Sequence, residues 1–234
     1  MTAKKHKYPE QKSEFAKFLV PPPKAGVIPA EYEERIDVDR PDIYPADMIA
    51  RHKARYNWAM NAVWARFGRS GYTLDAACGT GYGSKDLLQS SAKVIGLDGD
   101  KDAVAHARGR FGGSLLTFRE ADFAAPLPVN SGQFDAAVTI ETIEHLSEAD
   151  AGFFLAELKR ALAPNGLLLL STPEFNAERG LTSTFHIKEY MPNEMIALVT
   201  AAGFVDVIVE KFDRSIVEAY GRGHFIFLRA RKPE

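Results

Sequence analysis

The chain of 234 residues has a single cysteine, Cys78, and no apolar run that approaches the roughly 20 residues needed to cross a membrane as a helix. One cysteine excludes an internal disulfide and suits a reducing compartment. The N-terminus also lacks the apolar core of a secretory signal peptide. Together these absences predict a cytoplasmic protein without a membrane span.

An excess of one charge is also lacking, because 29 Lys and Arg residues nearly balance 31 Asp and Glu residues, for a formal net charge of -2. Nucleic-acid-binding proteins normally carry a basic surface, so the composition argues against a nucleic-acid partner. No stripe of aromatic and basic residues typical of single-stranded RNA binding is present either. The first 24 residues are rich in lysine, which is typical of a solvated terminus.

Residues 1–47 are interpreted as an N-terminal extension. Proline recurs too often in this segment for a continuous helix, at Pro21, Pro22, Pro23, Pro29, Pro41 and Pro45. The apolar side chains of Phe15 and Phe18 predict that part of the extension packs on the main body as a lid. Residues 48–234 are predicted to form the domain itself.

Downstream of the extension, the hydrophobic spacing predicts a helix over residues 46–67, followed by alternating strands and helices. The predicted strands are 72–77, 93–97, 115–119, 134–140 and 167–171. The predicted helices that alternate with them are 84–89, 101–111, 149–162 and 193–202. This alternation indicates an α/β fold of the Rossmann-like, doubly wound type, with a parallel sheet covered by helices on both faces.

The C-terminal end departs from this alternation. Residues 205–211 and 224–231 have the composition of strands, and the segment between them contains no helical stretch long enough for a crossover. Two strands joined without a crossover pair antiparallel. The complete prediction is therefore a seven-stranded sheet that ends in an antiparallel C-terminal hairpin. In doubly wound sheets, ligands bind outside the carboxyl ends of the strands.

The most informative motif follows the first predicted strand, at residues 74–81 (LDAACGTG). Glycines let the main chain approach a ligand closely, and the following helix presents its N-terminal N–H groups. The second strand ends at Asp98, whose two oxygens can accept hydrogen bonds from both hydroxyls of a ribose. Asp122 and Phe123 follow the third strand and suit the amino group and ring face of an adenine.

A dinucleotide-binding fold would also combine a glycine loop with an acid. Its G-x-G-x-x-G spacing, counted from Gly79, requires glycine at position 84, where the chain has Ser84. Glycine falls at Gly83 instead. The acid after the third strand and the C-terminal hairpin are also foreign to that fold, so the sequence argues against a nicotinamide cofactor.

Residues 74–81 resemble motif I of the class I S-adenosylmethionine-dependent methyltransferases, and the resemblance extends over roughly residues 48–230. It implies S-adenosylmethionine as the cofactor, with these binding residues: Asp75, Ala77, Gly79, Gly81, Asp98, Gly99, Asp122, Phe123 and Glu141. Arg55 and Tyr56, on the helix before the first strand, are within reach of the methionine carboxylate. The chain departs from the family at Ala77, where glycine is usual, which predicts a slightly altered turn.

A second polar group follows the fourth predicted strand, at residues 141–146 (ETIEHL). A helical turn would place the carboxylates of Glu141 and Glu144 and the imidazole of His145 on one face. His186, after the fifth strand, is a candidate fourth donor. These four residues suit a divalent cation such as Mg²⁺ or Mn²⁺. Alternatively, His145 and Glu144 are catalytic without a metal, because a hydroxyl must lose its proton as it attacks carbon.

The E-x-x-E-H pattern with a later histidine resembles two branches of the superfamily, the ubiquinone-biosynthesis O-methyltransferases and the small-RNA terminal 2′-O-methyltransferases. It is also similar to methyltransferases of glycan and secondary-metabolite pathways, which often share the H-x-x-R-Y pattern of residues 52–56. The resemblance implies O-methylation of a small polyhydroxylated acceptor such as a sugar, a glycan or a catechol-like metabolite. An RNA 2′-O-methyltransferase and a catalytically silent S-adenosylmethionine-binding subunit are the alternatives.

Overall fold

The computed structural model describes residues 36–38, 44, 46–178, 180–181, 183, 185–210 and 225–234. The lysine-rich stretch and the predicted lid residues Phe15 and Phe18 lie outside the described residues.

In the described part of the chain, five helices and seven strands are labelled here in chain order. The helices are α1 (Ala46–Phe67), α2 (Tyr82–Leu87), α3 (Lys101–Phe111), α4 (Glu148–Ala161) and α5 (Pro192–Ala201). The strands are β1 (Tyr72–Ala76), β2 (Lys93–Asp98), β3 (Leu116–Glu120), β4 (Phe134–Ile140), β5 (Leu162–Pro173), β6 (Val205–Val209) and β7 (Phe225–Arg231). None of these helices is long and apolar enough to cross a membrane.

The strands form one mixed sheet in the order β3-β2-β1-β4-β5-β7-β6. Strands β1 to β5 are parallel, whereas β7 runs antiparallel to both β5 and β6. The predicted doubly wound, seven-stranded sheet with an antiparallel C-terminal strand is therefore confirmed. The strand order reverses between β1 and β4, which places the carboxyl ends of these two strands side by side at the switch point.

Strand β5 is longer than the predicted 167–171. Helix α4 ends at Ala161, and the chain enters β5 directly at Leu162, which pairs with Phe134. The register then shifts before pairing resumes at Leu167 with Ala136. This irregularity accommodates residues 164–166 (PNG), which lie between the predicted helix 149–162 and the predicted strand 167–171.

The core has two apolar layers because helices cover both faces of the sheet. Along β5, Leu168 and Leu170 belong to the layer that includes α4 and α5. Leu167 and Leu169 belong to the opposite layer, which includes α1, α2 and α3. A strand that is buried on both faces has an unbroken apolar sequence instead of an alternating one, which explains the run of four leucines.

The described residues of the predicted N-terminal extension pack against the domain. Ile36 and Tyr44 are buried in a cluster with Ile49 of α1 and Ala103 of α3. The hydroxyl of Thr80 donates a hydrogen bond of 3.2 Å to the carbonyl oxygen of Ile36. This part of the extension therefore lies beside the loop that follows β1. The boundary at residue 48 stays a prediction.

Candidate functional site

The loop after β1 turns through left-handed glycines. Gly79 has a φ of +52° and Gly81 a φ of +85°. A Cβ at Gly81 would lie 2.6 Å from the Cβ of Ala107, so this position tolerates only glycine. A Cβ at Gly79 would meet no atom within 4 Å. The main chain at Gly79 therefore borders open space, as expected of a loop that contacts a ligand.

Ala77, the departure from the family pattern, keeps the conformation that a glycine would adopt. Its φ is +71°, in the left-handed region, where a Cβ costs about 1–2 kcal/mol. Its N–H and that of Cys78 both donate to the carbonyl oxygen of Leu97, at 2.8 Å each. Alanine in place of the usual glycine therefore leaves the turn strained, and the hydrogen bonds to Leu97 of β2 hold the strained backbone in place.

Asp98, at the end of β2, is buried beneath the glycine loop. Its Oδ2 accepts a hydrogen bond of 2.7 Å from the N–H of Gly79, and its Oδ1 accepts one of 2.9 Å from the N–H of Asp100. A carboxylate has about four acceptor positions, so each oxygen can accept a second hydrogen bond. Asp98 can therefore support the loop and hold a pair of adjacent hydroxyls at the same time.

Asp75 is fully buried in β1 and does not line the cleft described below. Its Oδ1 accepts a hydrogen bond of 3.3 Å from the hydroxyl of Tyr56, and its Oδ2 accepts one of 2.6 Å from Ser84. Burial raises the pKa of Asp75 to about 7, opposed by these two hydrogen bonds and reinforced by the charge of Asp98. The structure thus places Asp75 as a buried link between α1, β1 and α2, and its role as a cofactor contact stays a prediction.

Helix α1 presents His52 and Tyr56, one turn apart, to the cleft. The ring of Tyr56 lies against Gly83, where a Cβ would come within 2.0 Å of it. Burial and then the charges of Arg55 and Arg51 lower the pKa of His52 well below its usual value, which keeps the imidazole neutral. His52 was not predicted as a site residue, although its spacing of four from Tyr56 was a usable signal.

Arg55 does not line the cleft and instead reaches the end of β4. Its guanidinium lies 4.1 Å from the ring centroid of Phe225, and its Nε lies 3.6 Å from Oε1 of Glu141. Nε and Nη1 of this buried side chain have no hydrogen-bond partner among the described residues. The predicted contact between Arg55 and the methionine carboxylate stays a prediction.

Glu141 follows β4 and lines the cleft. Its φ is +51°, and its Oε1 accepts a hydrogen bond of 2.9 Å from the hydroxyl of Ser171. A 3-10 turn begins only at Ile143 and extends to His145. Glu141 is therefore not on the same helical turn as Glu144 and His145, which corrects the expectation of a single helical face for the three side chains.

Glu144, His145 and His186 come together at the mouth of β4, and their ligand atoms all lie within 4.8 Å of one another. Among the described residues, this is the group whose geometry suits a metal, and Glu141 is not part of it. The two imidazole rings have centroids 4.9 Å apart and an interplanar angle of 80°. Three of the four predicted metal ligands are thus assembled from segments far apart in the sequence.

Glu144 is the most deeply buried member of this group. Its Oε2 accepts a hydrogen bond of 2.9 Å from the hydroxyl of Thr172, while its Oε1 has no hydrogen-bond partner among the described residues. Burial, followed by the charge of Glu141, raises the pKa of Glu144 well above its usual value. An unpartnered buried carboxylate oxygen is costly, and a bound cation would offset that cost.

Phe123 and Asp122 differ in their relation to the cleft. Phe123 is buried, lines the cleft and packs against Phe154 with ring centroids 4.9 Å apart. Asp122 is exposed, and its Oδ1 accepts a hydrogen bond of 3.0 Å from the N–H of Ala124. The aromatic half of the predicted adenine site therefore lies at the cleft, whereas the contact of Asp122 with adenine stays a prediction.

These segments border an open cleft at the carboxyl ends of β1, β2 and β4. Seven of the predicted cofactor residues line it: Tyr56, Ala77, Gly79, Asp98, Gly99, Phe123 and Glu141. Seven residues that were not predicted also line it: Ile36, His52, Cys78, Thr80, Tyr82, Ile140 and Thr142. His145 lines the same cleft, so one imidazole belongs both to the cleft wall and to the group formed with Glu144 and His186.

The chain is similar to known methyltransferases. Residues 74–170 match the family model described as a methyltransferase domain. A probable S-adenosylmethionine-dependent methyltransferase of Mycobacterium tuberculosis is 37% identical over 138 residues, covering 57% of this chain and 48% of the relative. A ubiquinone biosynthesis O-methyltransferase of a Caulobacter species is 30% identical over 131 residues, covering 50% of each chain. The chain thus spans about half the length of the curated relatives it matches.

Among solved structures, magnesium protoporphyrin IX methyltransferase of Synechocystis with bound SAH has a TM-score of 0.61 at 19% identity, covering 80% of this chain and 85% of that one. At this identity the similarity supports the fold alone. Residues 74–170 are thus similar to a methyltransferase domain, and the curated relatives named above are described as methyltransferases.

Proposed function

We propose that the protein transfers the methyl group of S-adenosylmethionine to a hydroxyl oxygen of a small polyhydroxylated acceptor, such as a sugar, a glycan or a catechol-like metabolite. The observation that carries this proposal is the position of His145. It lies on the wall of the cleft formed by the glycine loop and Asp98, and it also belongs to the group with Glu144 and His186. A methyl-donor site therefore adjoins a set of residues suited to deprotonation.

The cleft residues fit the cofactor. Open space beside Gly79 leaves room for the methionine portion, and the remaining acceptor positions of Asp98 match the two ribose hydroxyls. The face of Phe123 suits the adenine ring. When bound, S-adenosylmethionine supplies a methyl group on a positively charged sulfur, which leaves as a neutral thioether.

The contribution of the protein is positioning and removal of a proton. The Nδ1 atom of His145 lies 3.2 Å from the carbonyl oxygen of Phe185, and a carbonyl only accepts hydrogen bonds. Nδ1 therefore carries the proton, and the lone pair is on Nε2. Without a metal, Nε2 of His145 is the atom that accepts the proton of the acceptor hydroxyl as the oxygen attacks; with a metal, the same lone pair would be a ligand.

The same residues fit a divalent metal. The unpartnered Oε1 of Glu144 and one nitrogen from each of His145 and His186 form a mixed oxygen and nitrogen donor set. Two imidazoles favour Mn²⁺ over Mg²⁺, which prefers oxygen ligands alone. When bound, such a metal supplies a positive charge that lowers the pKa of a coordinated hydroxyl. The ubiquinone biosynthesis O-methyltransferases among the relatives support oxygen as the methyl acceptor.

The test uses the purified chain with methyl-labelled S-adenosylmethionine and a panel of a catechol, a set of monosaccharides and a short RNA with a free 2′,3′-diol. We expect labelled product from a catechol or sugar, loss of activity in EDTA and recovery with Mn²⁺. Transfer to the RNA alone would overturn the acceptor class. Cofactor binding without transfer to any acceptor, including a fractionated cell extract, would favour the silent subunit. Full activity in EDTA would leave His145 as a base without a metal.

A further inference from the structure

His186 reaches the site on residues 185–190, called here the histidine arm. The N–H groups of Ile187 and Lys188 both donate to the carbonyl oxygen of Glu144, at 2.8 and 3.1 Å. Phe185 accepts the hydrogen bond from Nδ1 of His145 through its own carbonyl oxygen. Hydrogen bonds thus attach the backbone of the arm to Glu144 and His145. These are the two residues with which His186 forms the group.

The far end of the arm is attached to the fold as well. Tyr190 is buried and forms a parallel bridge with Glu174, just after β5. Nζ of Lys188 lies 3.2 Å from Oε2 of Glu148 on α4 and 4.9 Å from the ring centroid of Tyr190. These contacts fix the path of the backbone, but they do not fix the rotation of the His186 ring.

Glu189 fixes that rotation. Its carboxylate is completely buried, and Oε1 lies 2.7 Å from Nδ1 of His186. An ionised carboxylate only accepts hydrogen bonds, so Nδ1 carries the proton and donates it, and the lone pair of the ring is on Nε2. This arrangement is the one that orients a histidine toward a metal or a substrate proton, because the second nitrogen is then committed as an acceptor or ligand.

We propose that Glu189 is a positioning residue. It holds the ring of His186 so that the lone pair on Nε2 of His186 is available to the group formed with Glu144 and His145. Glu189 does not line the cleft, so it reaches this group through His186. The inference rests on the proposed function in one respect: the orientation matters for catalysis only if that group is the reaction site.

His145 provides an internal control. Its Nδ1 is held by a backbone carbonyl, which no side-chain substitution removes, whereas Nδ1 of His186 depends on a side chain. A substitution at Glu189 should therefore change the state of one imidazole and leave that of its neighbour unchanged. A general loss of structure would change both.

The decisive measurement is nitrogen-15 NMR of the histidine side chains in the full chain, comparing wild type with Glu189→Gln. In wild type we expect His186 to be a single tautomer with the proton on Nδ1. In Glu189→Gln we expect a mixture of tautomers at His186, because an amide can donate or accept, with His145 unchanged. A wild-type His186 that carries its proton on Nε2 would overturn the proposal without any variant.

Mn²⁺ binding, followed by electron paramagnetic resonance, and steady-state kinetics give the functional readout. Loss of a carboxylate that orients a metal-binding histidine typically costs about 10–100-fold in metal affinity or activity, and we expect Glu189→Gln to fall in that range. The KM for S-adenosylmethionine should be unchanged while kcat falls. The matched control is Glu148→Gln, which removes an exposed carboxylate that contacts the same arm through Lys188, and it should behave as wild type.

Failure of this inference and failure of the proposed function give different results. If wild type transfers no methyl group and binds no Mn²⁺, the proposed function fails, while the tautomer of His186 still decides the role of Glu189. If Glu189→Gln keeps the wild-type tautomer, Mn²⁺ affinity and kcat, Glu189 is only a buried structural partner and the inference is wrong.

Discussion

Ala77 and Glu141 both adopt the left-handed conformation, with φ values of +71° and +51°, at the first position beyond two neighbouring parallel strands. Both residues line the cleft. A residue other than glycine costs about 1–2 kcal/mol in this region, so both strand ends that border the proposed methyl-transfer site carry backbone strain. Ala77 lies in the loop proposed to bind the cofactor, and Glu141 precedes the group formed by Glu144, His145 and His186.

Relief of this strain can be measured at Ala77. Glycine at this position removes a cost of about 1–2 kcal/mol but adds about 0.5–1 kcal/mol of unfolded-state entropy. We therefore expect Ala77→Gly to raise the free energy of unfolding in urea by roughly 0.5–1 kcal/mol. The control is Ala76→Gly, in the buried strand β1, which should lower it. Equal destabilisation by both variants would contradict the strain at Ala77.

Gly79 and Gly81 should respond differently to alanine. A Cβ at Gly81 would collide with Ala107, so we expect Gly81→Ala to destabilise the fold by about 2 kcal/mol or more. In Gly79→Ala the new methyl group has space. We expect this variant to lose about 1 kcal/mol of stability, because alanine disfavours the left-handed φ at this position. Its methyl group would occupy the space assigned to the cofactor, so affinity should fall at least roughly tenfold. Thermal unfolding and calorimetric titration with S-adenosylmethionine separate the two effects, and unchanged affinity in Gly79→Ala would remove the loop from the binding site.

Asp98→Ala tests the assignment of the ribose site. Hydrogen bonds to a charged group contribute about 1.5–3 kcal/mol each, so loss of two such bonds should weaken cofactor binding by roughly 100-fold or more. Asp122→Ala is the matched comparison. Because its carboxylate is exposed and does not line the cleft, we expect a loss below roughly tenfold. Calorimetry gives both values, and wild-type affinity in Asp98→Ala would refute the assignment.

Asp75 should make stability depend on pH. Its pKa is about 7 in the folded protein and near 3.8 when unfolded, so the folded state holds the proton more tightly. The associated stability is fully present below pH 3.8 and is lost as the pH rises through about 7. We expect the free energy of unfolding of wild type to fall between pH 5 and pH 8 relative to that of Asp75→Asn. Parallel pH profiles for the two proteins would show that Asp75 is ionised in the fold.

The features that could be predicted from the sequence are those that depend on local side chains. Alternating apolar segments predicted the sheet and its antiparallel end, and the positions of Gly79 and Asp98 after two strands predicted that they lie at one cleft, as they do. The separation of Glu141 from Glu144 and His145 could not be predicted. It follows from the left-handed φ of Glu141, and the identity of a residue other than glycine does not reveal such a φ. The approach of His186 to His145 was expected from its position after the fifth strand, but the contacts that hold it there were not. The histidine arm is held by hydrogen bonds from its N–H groups to the backbone carbonyl oxygen of Glu144. Because backbone groups are the same in every residue other than proline, such contacts cannot be recognised in the sequence.

The buried link from Tyr56 through Asp75 to Ser84 has a mechanical consequence. The Tyr56 ring covers Gly83 while its hydroxyl contacts Asp75, so α1 cannot slide along the sheet without displacing α2 and the loop that precedes it. The wall that carries His52 and the wall that carries Gly79 therefore move together. We therefore expect the width of the cleft between these two walls to change little when a ligand binds.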